Sequence, residues 1–107
     1  MNVTLEDFRK LEIRIGKVLN AEKVEGADRL LRLEVDFGDF KRQIVSGIAE
    51  FYKKEELIGK QCPFIVNLEP RTIMRVESQG MILAADDNGT PVLLQSDKEV
   101  KVGSVVK

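Results

Sequence analysis

The chain has 107 residues, 43% hydrophobic and 33% charged, with a formal net charge of −1 at pH 7 and no histidine. This length predicts a single domain over residues 1–107. The lack of histidine removes the commonest general base, the Ser-His and Cys-His nucleophiles and the usual zinc ligands. We therefore expect no enzyme, no cofactor and no metal site. No apolar run approaches a membrane span and the N-terminus lacks a signal-peptide core, which predicts a cytoplasmic protein without a membrane partner.

The first predicted elements are a helical turn and a strand. Thr4, followed by Asp7 three residues later, is a capping-box pattern typical of one short helical turn. In "KLEIRIG", residues 10–16, apolar and charged side chains alternate, which predicts a strand. The phase of this alternation slips across Gly16, where we expect a β-bulge that bends the strand.

The next segment predicts a β-hairpin. Apolar residues occupy every second position from Leu31 to Phe37, and charged residues stand between them. Gly38 and Asp39 form the predicted turn, and the return strand reaches "IVSG".

The rest of the chain reads as one helix and further short strands. The segment "FYKKEELIGK" predicts a helix that ends near Gly59, and Cys62 follows in an apolar run where we expect a buried, inert thiol without a disulfide. "CPFIVNLEP", "GMILAA" and "TPVLLQ" predict strands, the last two joined at Asn88 and Gly89 by a strong hairpin pattern. The tail "VKVGSVVK" is apolar enough to pack against the rest of the chain.

These elements together favour an all-β architecture. The pattern has about five main strands, a bulged first strand and one short helix between strands 3 and 4. This is the layout of an OB-fold, a five-stranded barrel. Another small β-barrel is the alternative that the pattern leaves open.

The stretch "ESQGMILAA", Glu77 to Ala85, has two halves of different character. The apolar half predicts a short buried strand. The polar half is either a turn between strands or a binding site, because Ser78 and Gln79 offer hydrogen-bonding groups and Gly80 permits a close approach of backbone to a ligand.

Five stretches occur in an order and spacing that resemble the tRNA-binding domain family: "DFRKLEIRIGKV", "ADRLLRLEVDFG", "IVSGIAEFYKKEELIGK", "VNLEPR" and "ESQGMILAA". The resemblance covers nearly the whole chain and implies an OB-fold with a C-terminal β extension. Such domains are appended to methionyl-tRNA synthetases, to the phenylalanyl-tRNA synthetase β chain and to a eukaryotic cytokine precursor, or stand free. The chain resembles the free-standing form or a methionyl-tRNA synthetase β subunit.

The resemblance implies binding of tRNA as a shaped object, at its outer corner, without reading a particular anticodon. Five phenylalanines and one tyrosine are few for a base-stacking platform, so readout of backbone and shape remains. Such readout needs cations, which the predicted hairpin supplies as Arg29, Arg32, Lys41 and Arg42. Taken singly, each of these cations is better explained as part of a solvated strand face.

Further candidate tRNA-binding residues match positions that the family places beside the nucleic acid. Among them, Ser78 and Gln79 are expected to supply neutral donors and Gly80 a close backbone approach, while Met81 either packs on a base or ribose or fills the core. The full set is Asn67, Arg71, Arg75, Ser78, Gln79, Gly80 and Met81.

The loop from Asn67 departs from the family pattern. Glu69 and Thr72 stand where relatives often carry lysine, and Arg75 stands where glycine is common, so we expect fewer cationic contacts and a modest affinity. A related branch of secretion chaperones has a different sequence at the tetrapeptide, so "SQGM" favours tRNA.

Three functions remain as hypotheses. The first is a non-catalytic tRNA-binding protein that assists methionyl-tRNA synthetase in trans by raising the local tRNA concentration. The others are a secretion-chaperone-like, peptide-binding dimer and a structural subunit of a synthetase complex. The apolar stretch "PVLLQSDKEVKVGSVV" and the dimers formed by free-standing relatives predict a homodimer.

Overall fold

The computed structural model describes all 107 residues and is mostly β-structure, which confirms the all-β prediction. Two helices and nine strands follow along the chain: α1 Leu5–Phe8, β1 Ile13–Val24, β2 Ala27–Asp36, β3 Lys41–Ser46, α2 Lys54–Leu57, β4 Gln61–Ile65, β5 Arg71–Ile73, β6 Val76–Ser78, β7 Met81–Ile82, β8 Ala84–Asp87 and β9 Thr90–Leu93. Neither helix is longer than four residues, and no helix has the length and apolar character to cross a membrane.

Five strands form the main antiparallel sheet, in the order β3-β2-β1-β4-β7. The sheet curls so that its two ends approach each other. Next to β7, the Gln79 N–H donates to the Gln43 carbonyl of β3 at 2.8 Å. Two small sheets, β5–β6 and β8–β9, extend from this main sheet.

The hydrophobic core lies inside the curl and contains 13 buried residues. The predicted alternation from Leu31 to Phe37 is confirmed, because every apolar member of that series is buried. The Phe37 ring meets Phe64 edge-on at 5.5 Å between centroids and stacks on Phe40 at 5.2 Å. Burying side chains of this size contributes about 1.5–3 kcal/mol each, so this cluster supplies most of the driving force for folding.

The predicted bulge at Gly16 is wrong. Gly16 pairs in regular register with Cys62 of β4, and the irregularities of β1 lie further along, between Val18 and Asn20 and between Lys23 and Val24. A Cβ at Gly16 would stand 2.5 Å from a Val35 methyl group and 2.6 Å from the Phe37 ring. Glycine is therefore required there for close packing.

The helix predictions are confirmed. The Thr4 hydroxyl accepts the Asp7 N–H at 3.0 Å and caps α1. Helix α2 ends before Gly59, whose φ of +91° is the left-handed conformation that glycine adopts without strain.

The C-terminal segment lies along β1. The Ile15 N–H donates to the Ser104 carbonyl at 2.9 Å, and the Gly103 and Val106 N–H groups donate to the carbonyls of Ile15 and Ile13. The predicted packing of this tail is therefore confirmed. Cys62 is also buried as expected, is free, and has its thiol pKa raised by burial.

Candidate nucleic-acid interface

The outer face of the β2–β3 hairpin bears a shallow groove with a volume of about 300 Å³. Three of the four cations predicted on this hairpin line it together: Arg32, Lys41 and Arg42. They share the groove with polar and acidic neighbours, namely Asn20, Glu22, Glu34 and Gln43. The groove thus has mixed charge, and its use for an anion depends on which cations are free of partners.

Arg42 joins this groove to the end of β4 and to the polar tetrapeptide. Its Nη1 donates to the Val66 carbonyl at 3.1 Å and to the Gln79 carbonyl at 3.2 Å. Its guanidinium lies over the Phe40 ring, 4.7 Å from the centroid, and Phe40 in turn stacks on the core. The ring and the two carbonyls fix the guanidinium in place, while Nε and Nη2 have no hydrogen-bond partner in the chain. Arg42 can therefore present two donors to a phosphate at no further ordering cost.

The other hairpin arginines are paired with acids. Arg32 donates to the Glu22 carboxylate at 2.7 Å, and this bond together with the positive charge lowers the pKa of Glu22. Arg29 lies 3.3 Å from Glu50 and does not line the groove. Arg29 therefore lies outside the groove that the other three hairpin cations share. Lys41 is exposed and forms no ion pair.

Residues 71–78 form a hairpin that the sequence analysis did not predict. Strands β5 and β6 are joined by a two-residue turn, Met74 and Arg75, whose φ values are +48° and +72°. The base of the hairpin is tied to β3 by the Gln43 side chain, which donates to the Glu77 carbonyl at 2.8 Å. Arg71 and Arg75 are exposed and take part in no ion pair, so the hairpin adds two cations without a partner.

Ser78 and Gly80 form buried contacts that hold the base of the β5–β6 hairpin against the main sheet. Ser78 is only 2% exposed, and its hydroxyl accepts the Val45 N–H at 3.0 Å and donates to the Gly80 carbonyl at 2.9 Å. Gly80 is buried too, and a Cβ there would lie 2.7 Å from the Ile65 carbonyl oxygen. This corrects the expectation that the hydroxyl and the glycine backbone face a ligand, because both are occupied inside the fold.

Gln79 and Met81 are the members of the tetrapeptide that reach the surface. The Gln79 Oε1 accepts the Gln43 N–H at 3.0 Å, whereas Nε2 has no partner in the chain and remains a free donor. Met81, at the edge strand β7, is 38% exposed, so core filling is not its main role.

Asn67 lies at the surface, but its amide is occupied. Oδ1 accepts the Glu12 N–H at 2.8 Å and Nδ2 donates to the Lys10 carbonyl at 2.7 Å. Asn67 therefore fixes the segment after α1 to the end of β4, and one N–H of its Nδ2 group remains without a partner.

Two residues of this region escaped the sequence analysis: Gln43, which ties the unpredicted hairpin to β3, and Phe40, which supports Arg42. Their positions give only weak signals. Gln43 is one of three consecutive polar residues in the return strand, and Phe40 is the first aromatic after the Gly38 turn.

A larger cavity of about 630 Å³ adjoins the groove, and Glu22 lines both. It is bounded by the end of β1, by Leu31 and by residues 49–56, with Ala49, Phe51 and Tyr52 as its apolar part and several lysines and glutamates around them. Phe51 is 46% exposed. Such a cavity suits an amphipathic chain more than a phosphate backbone.

An antiparallel sheet that presents cations beside a short polar turn is typical of small nucleic-acid-binding β domains. A family model described as a putative tRNA binding domain matches residues 13–105. The chain belongs to this family.

Relatives and solved structures give the same family context. The chain is 53% identical over 105 residues to a methionine–tRNA ligase of Methanothrix thermoacetophila, covering 98% of this chain and 16% of that protein. It therefore spans about a sixth of the ligase's length. A crystal structure of a MetRS related protein from Pyrococcus horikoshii superposes with a TM-score of 0.96, 40% identity, and coverage of 100% of this chain and 99% of that one. The chaperone CsaA from Bacillus anthracis superposes with a TM-score of 0.91, 34% identity and full coverage of both chains.

Proposed function

We propose that this protein is a non-catalytic tRNA-binding protein that recognises the shape and phosphate backbone of tRNA. The observation that carries the proposal is the fixed guanidinium of Arg42, which has two free donor nitrogens and joins the groove to the polar tetrapeptide 78–81. Cations held in place on a rigid sheet position a phosphate backbone without reading its sequence. The family membership supports tRNA as the nucleic acid.

The proposed contacts divide by how free each side chain is. The free cations Lys41, Arg42, Arg71 and Arg75 contact phosphates, and Gln79 Nε2 and the Met81 side chain contact sugar or base edges. Arg32 has to exchange Glu22 for a phosphate, and Arg29 has to exchange Glu50, so each contributes less. Ser78 and Gly80 position the interface and do not touch the ligand, whereas Asn67 positions it and offers its remaining N–H to the ligand.

In the cell the protein would act in trans, in the cytoplasm, by holding tRNA near a methionyl-tRNA synthetase. The resemblance to a part of methionine–tRNA ligases supports this partner. Tethering of that kind raises the local concentration of tRNA without any new contact at the catalytic site. We further propose that residues 1–107 form one OB-fold domain, since closure of the main sheet between β3 and β7 would give the OB strand connectivity.

The proposal includes a homodimer. The apolar side chains Val92, Leu94, Val105 and Val106 remain between 37% and 56% exposed in the C-terminal region. An isologous contact is the commonest way for a chain to cover such a surface. Light scattering that reports a monomer at micromolar concentration would remove this part of the proposal.

A peptide-binding chaperone is the second candidate function. The full-length similarity to CsaA favours it, and so does the cavity beside Phe51 and Tyr52. The third possibility, a purely structural subunit of a synthetase complex, predicts binding of neither tRNA nor peptide.

Titration with unfractionated tRNA, over a series of salt concentrations and with an unfolded peptide as a parallel ligand, tests the proposal. Arg71→Ala is the cleanest variant because this side chain is exposed and has no ion pair. We expect it to weaken every tRNA alike and to reduce the log–log salt slope by about 0.7 to 0.9 for each phosphate that the arginine neutralises. Arg9→Ala, which removes an equally unpaired arginine after α1, is the matched control and should leave both affinity and slope unchanged.

Arg42 needs a milder change because it also braces the fold. Arg42→Lys keeps the charge and loses the two-donor geometry, so we expect weaker tRNA binding with a nearly unchanged salt slope. Equal tRNA binding by the parent, Arg71→Ala and Arg42→Lys would move the interface elsewhere. Binding of the peptide alone would transfer the function to the chaperone candidate.

A further inference from the structure

The turn of the β5–β6 hairpin has a backbone that its residues do not favour. Only three non-glycine residues of the chain have positive φ, and two of them, Met74 and Arg75, are consecutive. The third, Asn88, belongs to a residue type that tolerates this conformation, whereas methionine and arginine rarely adopt it. The Met74 side chain is 64% exposed, so burial in the core does not compensate for the unfavourable backbone.

Nothing else in the chain holds the tip of this hairpin in place. The side-chain bonds that secure the hairpin are all at its base, from Gln43 to the Glu77 carbonyl and between Ser78 and Val45. Neither turn residue forms a side-chain hydrogen bond or an ion pair. Residues kept in an unfavourable conformation without internal compensation are concentrated at functional sites.

We infer that the Met74–Arg75 turn is an RNA-contacting wedge, in which the Met74 side chain packs against an unstacked base and Arg75 contacts a neighbouring phosphate. The inference rests on the proposed function and extends it to a residue that carries no charge. A thioether is polarisable and packs well against aromatic rings, and methionine is one of the apolar residues that enter between bases. Arg75 lies next to it with an unpaired guanidinium.

The position of the turn fits this role. The other end of the hairpin adjoins Gln79, whose carbonyl accepts from Arg42, so the hairpin connects the wedge to a cation of the groove. The ligand feature that suits it is an RNA loop or helix end with an accessible base face. A continuous A-form duplex keeps its bases stacked and gives Met74 nothing to pack against.

Met74→Asn tests the wedge without endangering the fold, because asparagine accepts positive φ. We expect tRNA binding to weaken about two- to tenfold, the range of a single methionine–ring contact, with an unchanged salt slope and an unchanged or higher melting temperature. The matched control is Asn88→Met in the β8–β9 turn, which puts methionine at positive φ elsewhere and should leave tRNA affinity unchanged. A long, fully paired RNA duplex serves as a second ligand, and Met74→Asn should bind it like the parent.

Three results would overturn the inference while the proposed function stands. In the first, Met74→Asn binds tRNA like the parent. In the second, Met74→Asn loses equal affinity for tRNA and for the paired duplex. In the third, Met74→Asn loses affinity for an unfolded peptide alone, which would mean that the turn serves the chaperone function. Failure of the parent protein to bind tRNA would remove the proposed function and this inference with it. The tRNA titration of the parent alone measures that outcome.

Discussion

The β5–β6 and β8–β9 hairpins share one turn geometry but are built in opposite ways. Each reverses the chain over two residues with positive φ. In β8–β9 these residues are Asn88 and Gly89, the pair that such turns prefer, and the Gly89 N–H is held by the Asp86 carboxylate at 2.7 Å. In β5–β6 they are Met74 and Arg75, for which the same backbone is costly.

The two hairpins also differ in how they meet the rest of the molecule. The strands of β8–β9 are largely exposed, and its turn is secured by its own residues, although the Tyr52 hydroxyl accepts the Leu93 N–H at the end of β9. The base of β5–β6 is fixed by buried contacts of Ser78 and Gly80 with β3 and β4. A hairpin that is secured at its base is free to carry unfavourable residues at its tip, and this freedom is what a binding site requires.

The largest effect expected from this difference is at the two glycines. Gly80→Ala would place a Cβ 2.7 Å from the Ile65 carbonyl oxygen and 3.3 Å from Ile44, at a φ of +153°. Backbone strain and overpacking each cost about 1–3 kcal/mol, so we expect the free energy of unfolding to fall by about 3 kcal/mol. Urea denaturation measures this loss.

Gly89→Ala is the matched change in the other hairpin. Its φ is +88°, but nothing lies within 4 Å of the added Cβ, so only the backbone strain of about 1–2 kcal/mol remains. Equal losses for the two variants would mean that the base of β5–β6 is not tightly packed, and the contrast between the hairpins would fail.

Ser78→Ala is expected to have the next largest effect. It leaves the Val45 N–H, buried inside the fold, without an acceptor, which costs about 1–3 kcal/mol. Because the hydroxyl points inward, tRNA affinity should change only if the loss of Ser78 displaces Gln79 and Met81. Thr90→Ala, at an exposed hydroxyl of β9, should alter stability by no more than about 0.5 kcal/mol. A Ser78→Ala protein that is as stable as the parent but binds tRNA more weakly would mean that Ser78 contacts the ligand.

The same contrast explains how much of the fold could be predicted. Hairpin β8–β9 follows from a local pattern, as do the cap at Thr4 and the alternation from Leu31 to Phe37. Hairpin β5–β6 could not be predicted, because its turn lacks the residues that normally indicate one and its base is held by Gln43, more than thirty residues earlier. Gly16 was misread for a related reason, since its packing against Val35 and Phe37 is a contact between distant residues.

The features of the candidate site also differ in whether a local sequence pattern could predict them. The sequence predicted Arg32, Lys41 and Arg42 as cations of one hairpin, because charge and hairpin are both visible in the local pattern, and the three line the groove. It did not predict that Ser78 and Gly80 are occupied inside the fold, or that the surface residue Asn67 is bonded to Lys10 and Glu12. Whether a polar atom is already satisfied depends on partners far along the chain, and no local pattern contains that information.

The smallest effect expected is at the tip of β5–β6, where stability and binding should move in opposite directions. Arg75→Gly removes a side chain from a residue at φ +72°. Relief of the left-handed strain, less the extra entropy of glycine in the unfolded chain, should raise the free energy of unfolding by about 0.5–1 kcal/mol. The removal of one cation should at the same time weaken tRNA binding and lower the salt slope by about 0.7 to 0.9. Urea denaturation and tRNA titration on the same preparation measure both quantities. A gain in stability with unchanged tRNA binding would mean that the unfavourable turn serves no purpose in recognition, and a loss of stability would mean that Arg75 has a partner in the fold.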